Sequence, residues 1–154
     1  MLAIIGGSGL YQLPGLIGTQ SRRVQTRWGE PSDEVVSGRL NDCPVLFLPR
    51  HARSHSIAPH RINYRANIAA LKECGASRII AVAAVGGIAA DCPSGALVVP
   101  DQLIDYTTGR DGTYFDVPGE AVTHVDFTHP YDPTLRTWIL QGALSLGLEL
   151  VDSG

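Results

Sequence analysis

Leu2-Ala3-Ile4-Ile5-Gly6-Gly7-Ser8-Gly9 is an apolar run that stops abruptly in a glycine-rich turn. The four apolar residues predict a buried strand, and the glycines allow a tight turn whose N–H groups and Ser8 hydroxyl can face a small anion. An ordinary exit from a strand into a loop gives the same pattern, so both interpretations stay open. The turn is followed neither by the lysine of a Walker A loop nor by a complete G-x-G-x-x-G fingerprint. Any binding site at this turn must therefore be completed by residues elsewhere in the chain.

Length and composition predict one compact domain over residues 1–154. The chain is 44% hydrophobic and 18% charged, and its 17 Gly and 10 Pro favour short elements of an α/β or β-rich fold. A net charge of −3 without a clustered basic face argues against a nucleic-acid partner. No apolar run approaches the length of a membrane span and no leader pattern opens the chain, which predicts a soluble protein without a membrane partner.

Cysteine usage favours a reducing, cytoplasmic location. Cys43, Cys74 and Cys92 are odd in number and widely separated, without a C-x-x-C pair. This spacing predicts neither a disulfide framework nor a zinc site. Of the five histidines, His51, His55 and His60 lie in a loop that no helix orders and that has no carboxylate at ligand spacing, so no metal site is predicted.

Three extended segments follow the first turn. Arg23–Trp28 and Glu34–Arg39 nearly alternate polar with apolar residues and predict neighbouring antiparallel strands. Pro44–Leu48 is apolar throughout, which is typical of a strand in the centre of a sheet. It emerges into Arg50 and His51, so it places cations at a sheet edge, where α/β sites usually form. A solvated basic loop is the alternative, and it is favoured for Arg53.

A βαβ crossover is predicted next. Apolar spacing of three and four predicts a helix over Asn63–Cys74, with Gly75 after its end. The apolar run Ile79–Val85 then predicts a strand, which completes the crossover that begins at Pro44–Leu48. The small residues at positions 83, 84, 86 and 87 either let another group approach the backbone closely or relieve crowding against a helix.

The last third of the chain is predicted to hold two more strands and one helix. Residues 95–106 read as a strand that bends at Pro100, and residues 107–120 as a long mobile loop that could act as a lid or a subunit contact. Asp132 and Pro133 predict the start of a helix that ends at Gly147. Leu148–Val151 begins another strand with nothing after it to cover it, which suggests a fragment whose C-terminal part is missing.

Several of these stretches together resemble the family of purine nucleoside phosphorylases and methylthioadenosine phosphorylases, trimeric type. Residues 103–110 and 123–132 look closest to the bacterial branch that cleaves S-methyl-5′-thioinosine. The resemblance covers almost the whole chain and rests on five stretches in order: Ile4–Leu10, Arg50–His55, Pro59–Lys72, Ala84–Ile88 and Asp101–Thr107.

The resemblance implies a nucleoside phosphorylase-like α/β fold, with a mixed β-sheet flanked by helices. It implies a glycosyltransferase of purine salvage that splits a 5′-methylthio purine nucleoside, S-methyl-5′-thioinosine or S-methyl-5′-thioadenosine, with inorganic phosphate. The products would be the purine base and 5-methylthioribose 1-phosphate. Phosphate is then a co-substrate and no cofactor is implied. The partners implied are the nucleoside, phosphate and two further copies of the chain, as a cytoplasmic homotrimer with sites between subunits.

The resemblance also assigns site residues. Ser8 would hold phosphate through its hydroxyl, while Arg50 and His51 would supply charged donors. A guanidinium can grip two phosphate oxygens at once, which singles out Arg50. The remaining assignments are Ala83 and Ala84 in a third phosphate segment, Val85 and Gly86 beside the purine, and His124 at the 5′ end of the nucleoside in an adjoining subunit.

Two departures from the family pattern matter. Ala83 stands where many relatives carry Thr or another polar residue, so one side-chain contact to phosphate is absent. The family's ribose-binding Met segment, and its acidic or amide residue at the purine, lie beyond residue 154, so the catalytic acid is not assigned. A nucleosidase that uses water and a catalytically silent fragment are therefore the alternatives. Ser8 as a covalent nucleophile lacks partners for a triad.

Overall fold

The computed structural model describes residues 1–153, which form two compact units. Unit 1 comprises Met1–Ala84 and Gly109–Pro118. Unit 2 comprises Val85–Thr108 and residues 119–153. The single domain over 1–154 stays a prediction, and each unit is described by itself.

Unit 1 is built on a five-stranded mixed sheet in the order β2-β3-β4-β1-β5. The two neighbours of β1, which are β4 and β5, both run parallel to it, while β2, β3 and β4 form an antiparallel meander. The mixed sheet with helices confirms the predicted fold class. The strands are β1 (Leu2–Gly6), β2 (Ile17–Arg22), β3 (Val35–Leu40), β4 (Cys43–Pro49) and β5 (Arg78–Ala81).

The predicted crossover is confirmed. After a 3-10 turn at Pro59–Arg61, helix α1 (Tyr64–Glu73) connects β4 to β5, and these two strands lie on either side of β1. Asn63 caps α1 by accepting a hydrogen bond from the Ala66 N–H at 3.0 Å. The helix ends before Gly75, whose φ of +92° is in the left-handed region.

The core of unit 1 lies between the sheet and α1. Leu48 in β4 and Leu71 in α1 are fully buried, and both belong to one cluster. Burying a leucine side chain contributes on the order of 1.5–3 kcal/mol. The cluster comprises Ala3, Ile5, Val24, Val35, Leu46, Leu48, Ala70 and Leu71.

The predicted strand Arg23–Trp28 is wrong. The strand paired with β3 is β2, which is entirely exposed. Because β2 has no buried face, its sequence shows no alternation of apolar and polar residues that would predict a strand. Val24 and Thr26 are nevertheless buried, because this segment packs on the core and closes a turn in which Thr26 and Gly29 bond each other's backbone. The alternation of polar and apolar residues in this segment correctly indicates which side chains are buried. The segment that buries them, however, is irregular and not a strand.

β5 is shorter than the predicted strand Ile79–Val85. The parallel ladder with β1 ends at the pair Ile5↔Ala81, and its last hydrogen bond runs from the Val82 N–H to the Ile5 carbonyl at 2.9 Å. The β1 chain then turns away, so residues 83–85 have no strand to pair with. The run of apolar residues therefore continues beyond the last residue of β5 that pairs with β1.

Unit 2 has less regular structure than the sequence predicts. Helix α2 (Pro133–Ser145) begins with Asp132 as its cap, as predicted, and Gly147 follows it with a φ of +67°. The predicted strand over residues 95–106 is wrong. That segment and the predicted strand Leu148–Val151 share one isolated parallel bridge, Val98↔Val151.

The segment Gly109–Pro118 is held on α1 in unit 1. Arg65, near the start of α1, lies 2.6 Å from the Asp111 carboxylate and 3.1 Å from that of Asp116. The Tyr114 hydroxyl donates to the Arg65 carbonyl at 2.8 Å, and its ring meets Trp28 edge-on at 4.6 Å. Burial raises the pKa of Tyr114, while the nearby Arg65 charge opposes that rise. The predicted loop has no regular structure, as expected, but it is anchored.

Within residues 1–153, no helix combines the length and apolar character needed to cross a membrane. The same residues hold no cluster of three or more His, Cys, Asp or Glu side chains suited to a metal ion.

Candidate functional site

The carboxyl ends of three parallel strands meet at one edge of the sheet in unit 1. Gly6 of β1 pairs with Pro49 of β4, and the Arg50 N–H donates to the Gly6 carbonyl at 3.0 Å. β5 ends one residue earlier on the other side of β1. The turn carrying Ser8 and the loop carrying Arg50 and His51 therefore leave the sheet side by side, where open α/β sheets bind ligands.

The β1 turn is tight and exposes Ser8. The Leu10 N–H donates to the Gly7 carbonyl at 3.0 Å, and Gly9 adopts a φ of +86° that favours glycine. A Cβ on Gly6 would lie 2.1 Å from the Leu10 carbonyl oxygen, so a side chain there would force the turn open. Ser8 is exposed at the tip of the turn.

Arg50 lies in the notch between this turn and the end of β5. Its Nη1 donates to the Val82 carbonyl at 2.6 Å. A Cβ on Gly7 would lie 2.5 Å from Arg50 Nη2, so the missing side chain of Gly7 makes room for the guanidinium. Arginine has five N–H donors, and one contact to a carbonyl leaves a fork of donors for an anion. The backbone thus fixes Arg50 beside Ser8 without neutralising it.

His51 is buried, with 5% of its surface exposed. Its Nδ1 lies 2.9 Å from the Ile57 carbonyl oxygen. Because a carbonyl can only accept, Nδ1 carries the hydrogen, and Nε2 is the nitrogen left for another partner. His51 as a charged phosphate donor stays a prediction, and the geometry limits it to that single nitrogen.

The loop after β4 is made of two successive turns. The Ala52 N–H donates to the Pro49 carbonyl at 3.1 Å, and the His55 N–H donates to the Ala52 carbonyl at 3.0 Å. Ala52 and His55 both have left-handed backbones, with φ of +61° and +52°. Such conformations cost non-glycine residues on the order of 1–3 kcal/mol each and cluster at functional sites.

Arg53 does not join the anion edge. Its backbone N–H donates to the Asp33 carboxylate at 2.8 Å, and its guanidinium lies 3.8 Å from both Asp33 and Glu34. This arrangement agrees with the interpretation of Arg53 as a surface charge.

The remaining predicted residues divide between the two units. Ala83 and Ala84 are exposed and follow Val82, whose carbonyl accepts from Arg50, in unit 1. Val85, Gly86 and His124 belong to unit 2 and are also exposed. Their roles beside the nucleoside stay predictions.

Asp126 in unit 2 is poorly suited to donate a proton. It accepts hydrogen bonds from the Thr128 hydroxyl at 2.6 Å and the Thr128 N–H at 2.9 Å. These bonds lower the pKa of Asp126. Because its carboxylate is then ionised at neutral pH, Asp126 could act as a base but not as a general acid.

Two features of the candidate site were not predicted from the sequence. The Val82 carbonyl orients Arg50, and Tyr11, just after the β1 turn, bonds His55 across the site at 3.0 Å. A backbone carbonyl leaves no signal in a sequence. Tyr11 lies in a segment with few periodic residues, and its partner is 44 positions away. Together the edge offers one positioned guanidinium and one exposed serine in a glycine-rich turn, which is the chemistry of an anion half-site.

Comparisons with known proteins agree with this geometry. The family model described as "Phosphorylase superfamily" matches residues 1–154. The protein named "Probable S-methyl-5'-thioinosine phosphorylase" from Xanthomonas campestris pv. campestris is 46% identical over 153 residues, which are 99% of this chain and 61% of that protein. The "S-methyl-5'-thioadenosine phosphorylase" of Thermofilum pendens is 43% identical over 99% of this chain and 58% of its own length.

A solved structure shows the same fold. The methylthioadenosine phosphorylase from Schistosoma mansoni in complex with adenine superposes with a TM-score of 0.89 at 35% identity, covering 94% of this chain and 53% of that one. This chain thus spans little more than half the length of the proteins that it resembles.

Proposed function

Because this chain belongs to the phosphorylase superfamily, we propose that it carries the phosphate half-site of an enzyme that cleaves 5′-methylthio purine nucleosides with inorganic phosphate. The substrates would be S-methyl-5′-thioinosine or S-methyl-5′-thioadenosine, since the similar bacterial and archaeal proteins bear those names. The products would be the purine and 5-methylthioribose 1-phosphate. The reaction is a pentosyl transfer in purine salvage.

The observation that carries the proposal is the parallel pairing of β1 with β4. The pair Gly6↔Pro49 brings the Ser8 turn and Arg50 to one edge although 42 positions of sequence separate those two residues. Arg50 then supplies the positive charge that binds phosphate, while Ser8 and the turn amides orient the phosphate. Ala83 and Ala84, next to the Val82 carbonyl that orients Arg50, would add backbone N–H groups.

These groups suit phosphorolysis for a chemical reason. As the C1′–N bond breaks, its electron pair leaves on the purine and positive charge grows on the ribose. A phosphate held below C1′ stabilises that charge and forms the new C1′–O bond. The purine nitrogen takes up a proton, and none of the residues described here is assigned to give it.

The remaining assignments complete the proposal. His51 would contribute Nε2 to the phosphate, Val85 and Gly86 would border the purine, and His124 would reach the 5′ end of a nucleoside bound in an adjoining subunit of a homotrimer. The enzyme would act in the cytoplasm, with phosphate as co-substrate and without a cofactor.

Purine release tests the reaction. The chain is incubated with methylthioinosine, methylthioadenosine or inosine, with and without phosphate, and the free base is quantified by chromatography. We expect release from the methylthio nucleosides that depends on phosphate. Undiminished release without phosphate would identify a nucleosidase instead. Absence of release under all conditions, with phosphate still bound, would identify a binding unit without turnover.

Replacement of Arg50 tests the half-site directly. Arg50→Ala should weaken phosphate binding roughly a hundredfold, because it removes a charged hydrogen-bond partner. Arg50→Lys should recover only part of the affinity, because an ammonium cannot form the bidentate pair. Arg53→Ala is the matched control and should leave the phosphate Kd within about twofold, since Arg53 pairs with surface carboxylates. An unchanged Kd in Arg50→Ala, measured by calorimetry, would contradict the proposed site.

A further inference from the structure

Beyond the ladder between β1 and β4, a second tie joins the two loops of the half-site. The Tyr11 hydroxyl lies 3.0 Å from His55 Nδ1, and the two rings meet edge-on with centroids 5.4 Å apart. Tyr11 directly follows the Gly7–Leu10 turn that presents Ser8, and His55 closes the second turn after Arg50. Each partner therefore belongs to a loop that carries one of the anion-binding groups.

We propose that Tyr11 and His55 are positioning residues, which form a clasp that holds the Ser8 turn and the Arg50 loop at the separation needed by one phosphate. The proposal rests on the proposed function and extends it to residues outside the phosphate contacts. Its basis is the placement of the contact, since the last backbone bond between the two segments, from the Arg50 N–H to the Gly6 carbonyl, lies at the base of the loops. The clasp joins them further out.

His55 is suited to this role by both its backbone and its ring. Its φ of +52° lies in the left-handed region, which His tolerates better than most residues. The ring also lies 5.2 Å from that of buried His51, whose Nδ1 is bonded to the Ile57 carbonyl. The clasp thus ties the Ser8 turn to the anchored part of the Arg50 loop.

The clasp also has a polarity that can reverse. A neutral His55 can accept a hydrogen bond from the Tyr11 hydroxyl at Nδ1, and a protonated His55 can donate a hydrogen bond from Nδ1 to the Tyr11 oxygen. The contact is therefore compatible with either protonation state of the imidazole. We assign it to geometry rather than to proton transfer.

Four variants and one control test the clasp. Tyr11→Phe keeps the ring and removes the hydroxyl. His55→Ala removes the partner, whereas His55→Asn retains a polar atom at the same reach and a residue type that tolerates a left-handed backbone. The double variant Tyr11→Phe/His55→Ala measures coupling. Tyr64→Phe is the matched control, because the Tyr64 hydroxyl donates one exposed hydrogen bond to the Pro59 carbonyl at 3.2 Å within the same unit.

The first readout is the Kd for inorganic phosphate. Tyr11→Phe and His55→Ala should each raise it roughly three- to tenfold, the range for loss of one hydrogen bond. The double variant should lose no more than either single variant, while His55→Asn and Tyr64→Phe should stay within about twofold of the parent chain. Additive losses, or an unchanged Kd in Tyr11→Phe, would overturn the clasp.

The second readout separates the clasp from the proposed function. Hydrogen exchange is measured at the Leu10 and His55 amides, each of which is bonded within its own loop. Tyr11→Phe should accelerate both, roughly three- to tenfold, whether or not phosphate binds. Acceleration confined to Leu10 would show that the loops move independently and would refute the clasp. If the parent chain binds no phosphate, the proposed half-site fails while the exchange result still decides the clasp.

Discussion

The two units of this chain bury their apolar residues to very different extents. Among the described residues, the buried hydrophobic side chains belong to unit 1 with the exception of Ala143. Unit 2 instead exposes many large apolar side chains, among them Val85, Ile88, Ile104, Tyr106, Val122, Val125, Phe127, Leu144 and Leu146. Unit 1 is thus stabilised by its own core, and it is also the unit that carries the anion edge.

Unit 2 is held largely by polar contacts. Arg136 in α2 donates to the carbonyls of Val99, Pro100 and Asp152, and the Val99 N–H donates to the Val151 carbonyl at 2.8 Å. Side chain to backbone bonds of this kind fix irregular segments without requiring strands. The contrast between the units shows that an apolar run forms a strand only where a partner strand pairs with it.

The largest contrast is expected from matched leucines in the two helices. Leu71→Ala in α1 should cost about 2–5 kcal/mol of unfolding free energy, because Leu71 is fully buried and truncation leaves a cavity. Leu144→Ala in α2 should cost less than about 0.5 kcal/mol, since that side chain is 81% exposed. Urea unfolding measures both. A large loss in Leu144→Ala would show that unit 2 buries this face in solution.

An intermediate effect is expected at the anchored segment Gly109–Pro118. Arg65 is 17% exposed in its side chain and holds two carboxylates, so Arg65→Ala should cost about 1–2 kcal/mol after allowance for the exposure of Asp111 and Asp116. Lys72→Ala, at an exposed position of the same helix, provides a surface control. Urea unfolding gives the difference in free energy.

The phenol of Tyr114 shows whether the segment is released. Burial holds its pKa above the ordinary value of 10.0, against the opposing Arg65 charge. If Arg65→Ala frees the segment, Tyr114 loses its burial and its pKa should fall toward 10.0. If the segment stays in place, loss of the Arg65 charge should raise the pKa further, which would contradict anchoring by Arg65. Spectroscopic titration of phenolate, with Tyr114→Phe as the blank, distinguishes the two results.

The smallest effect is expected in α2. Gly142 is helical, and a Cβ built on it meets nothing within 4 Å, so Gly142→Ala should stabilise the chain by about 0.4–1 kcal/mol. Gly7→Ala is the opposing control in unit 1, where the added Cβ would lie 2.5 Å from both Arg50 Nη2 and the Val82 carbonyl oxygen. Destabilisation by Gly142→Ala in thermal unfolding would mean that α2 packs on something at this position.

Much of unit 1 could be predicted from local pattern. The apolar runs of β1 and β4 and the spacing of α1 each specify one element, and Asn63 and Gly75 mark where the helix begins and ends. β2 could not be predicted because its six residues are all exposed, so no face is selected for apolar side chains. The run Gly95–Pro100 is apolar and yet forms one bridge, because a strand also needs a partner that the pattern does not report.

The sequence by itself determined β1, β3, β4 and α1 of unit 1 and the residue types of the candidate site, since periodicity, capping and glycine placement act over a few residues. Only the tertiary structure decided that Ser8 and Arg50 share an edge, that the Val82 carbonyl and Gly7 position the guanidinium, and that Tyr11 meets His55. The physical reason is that these relations depend on strand pairing and on close approach between segments far apart in the chain. The residue types in a sequence do not specify the register of paired strands or the position of a backbone carbonyl.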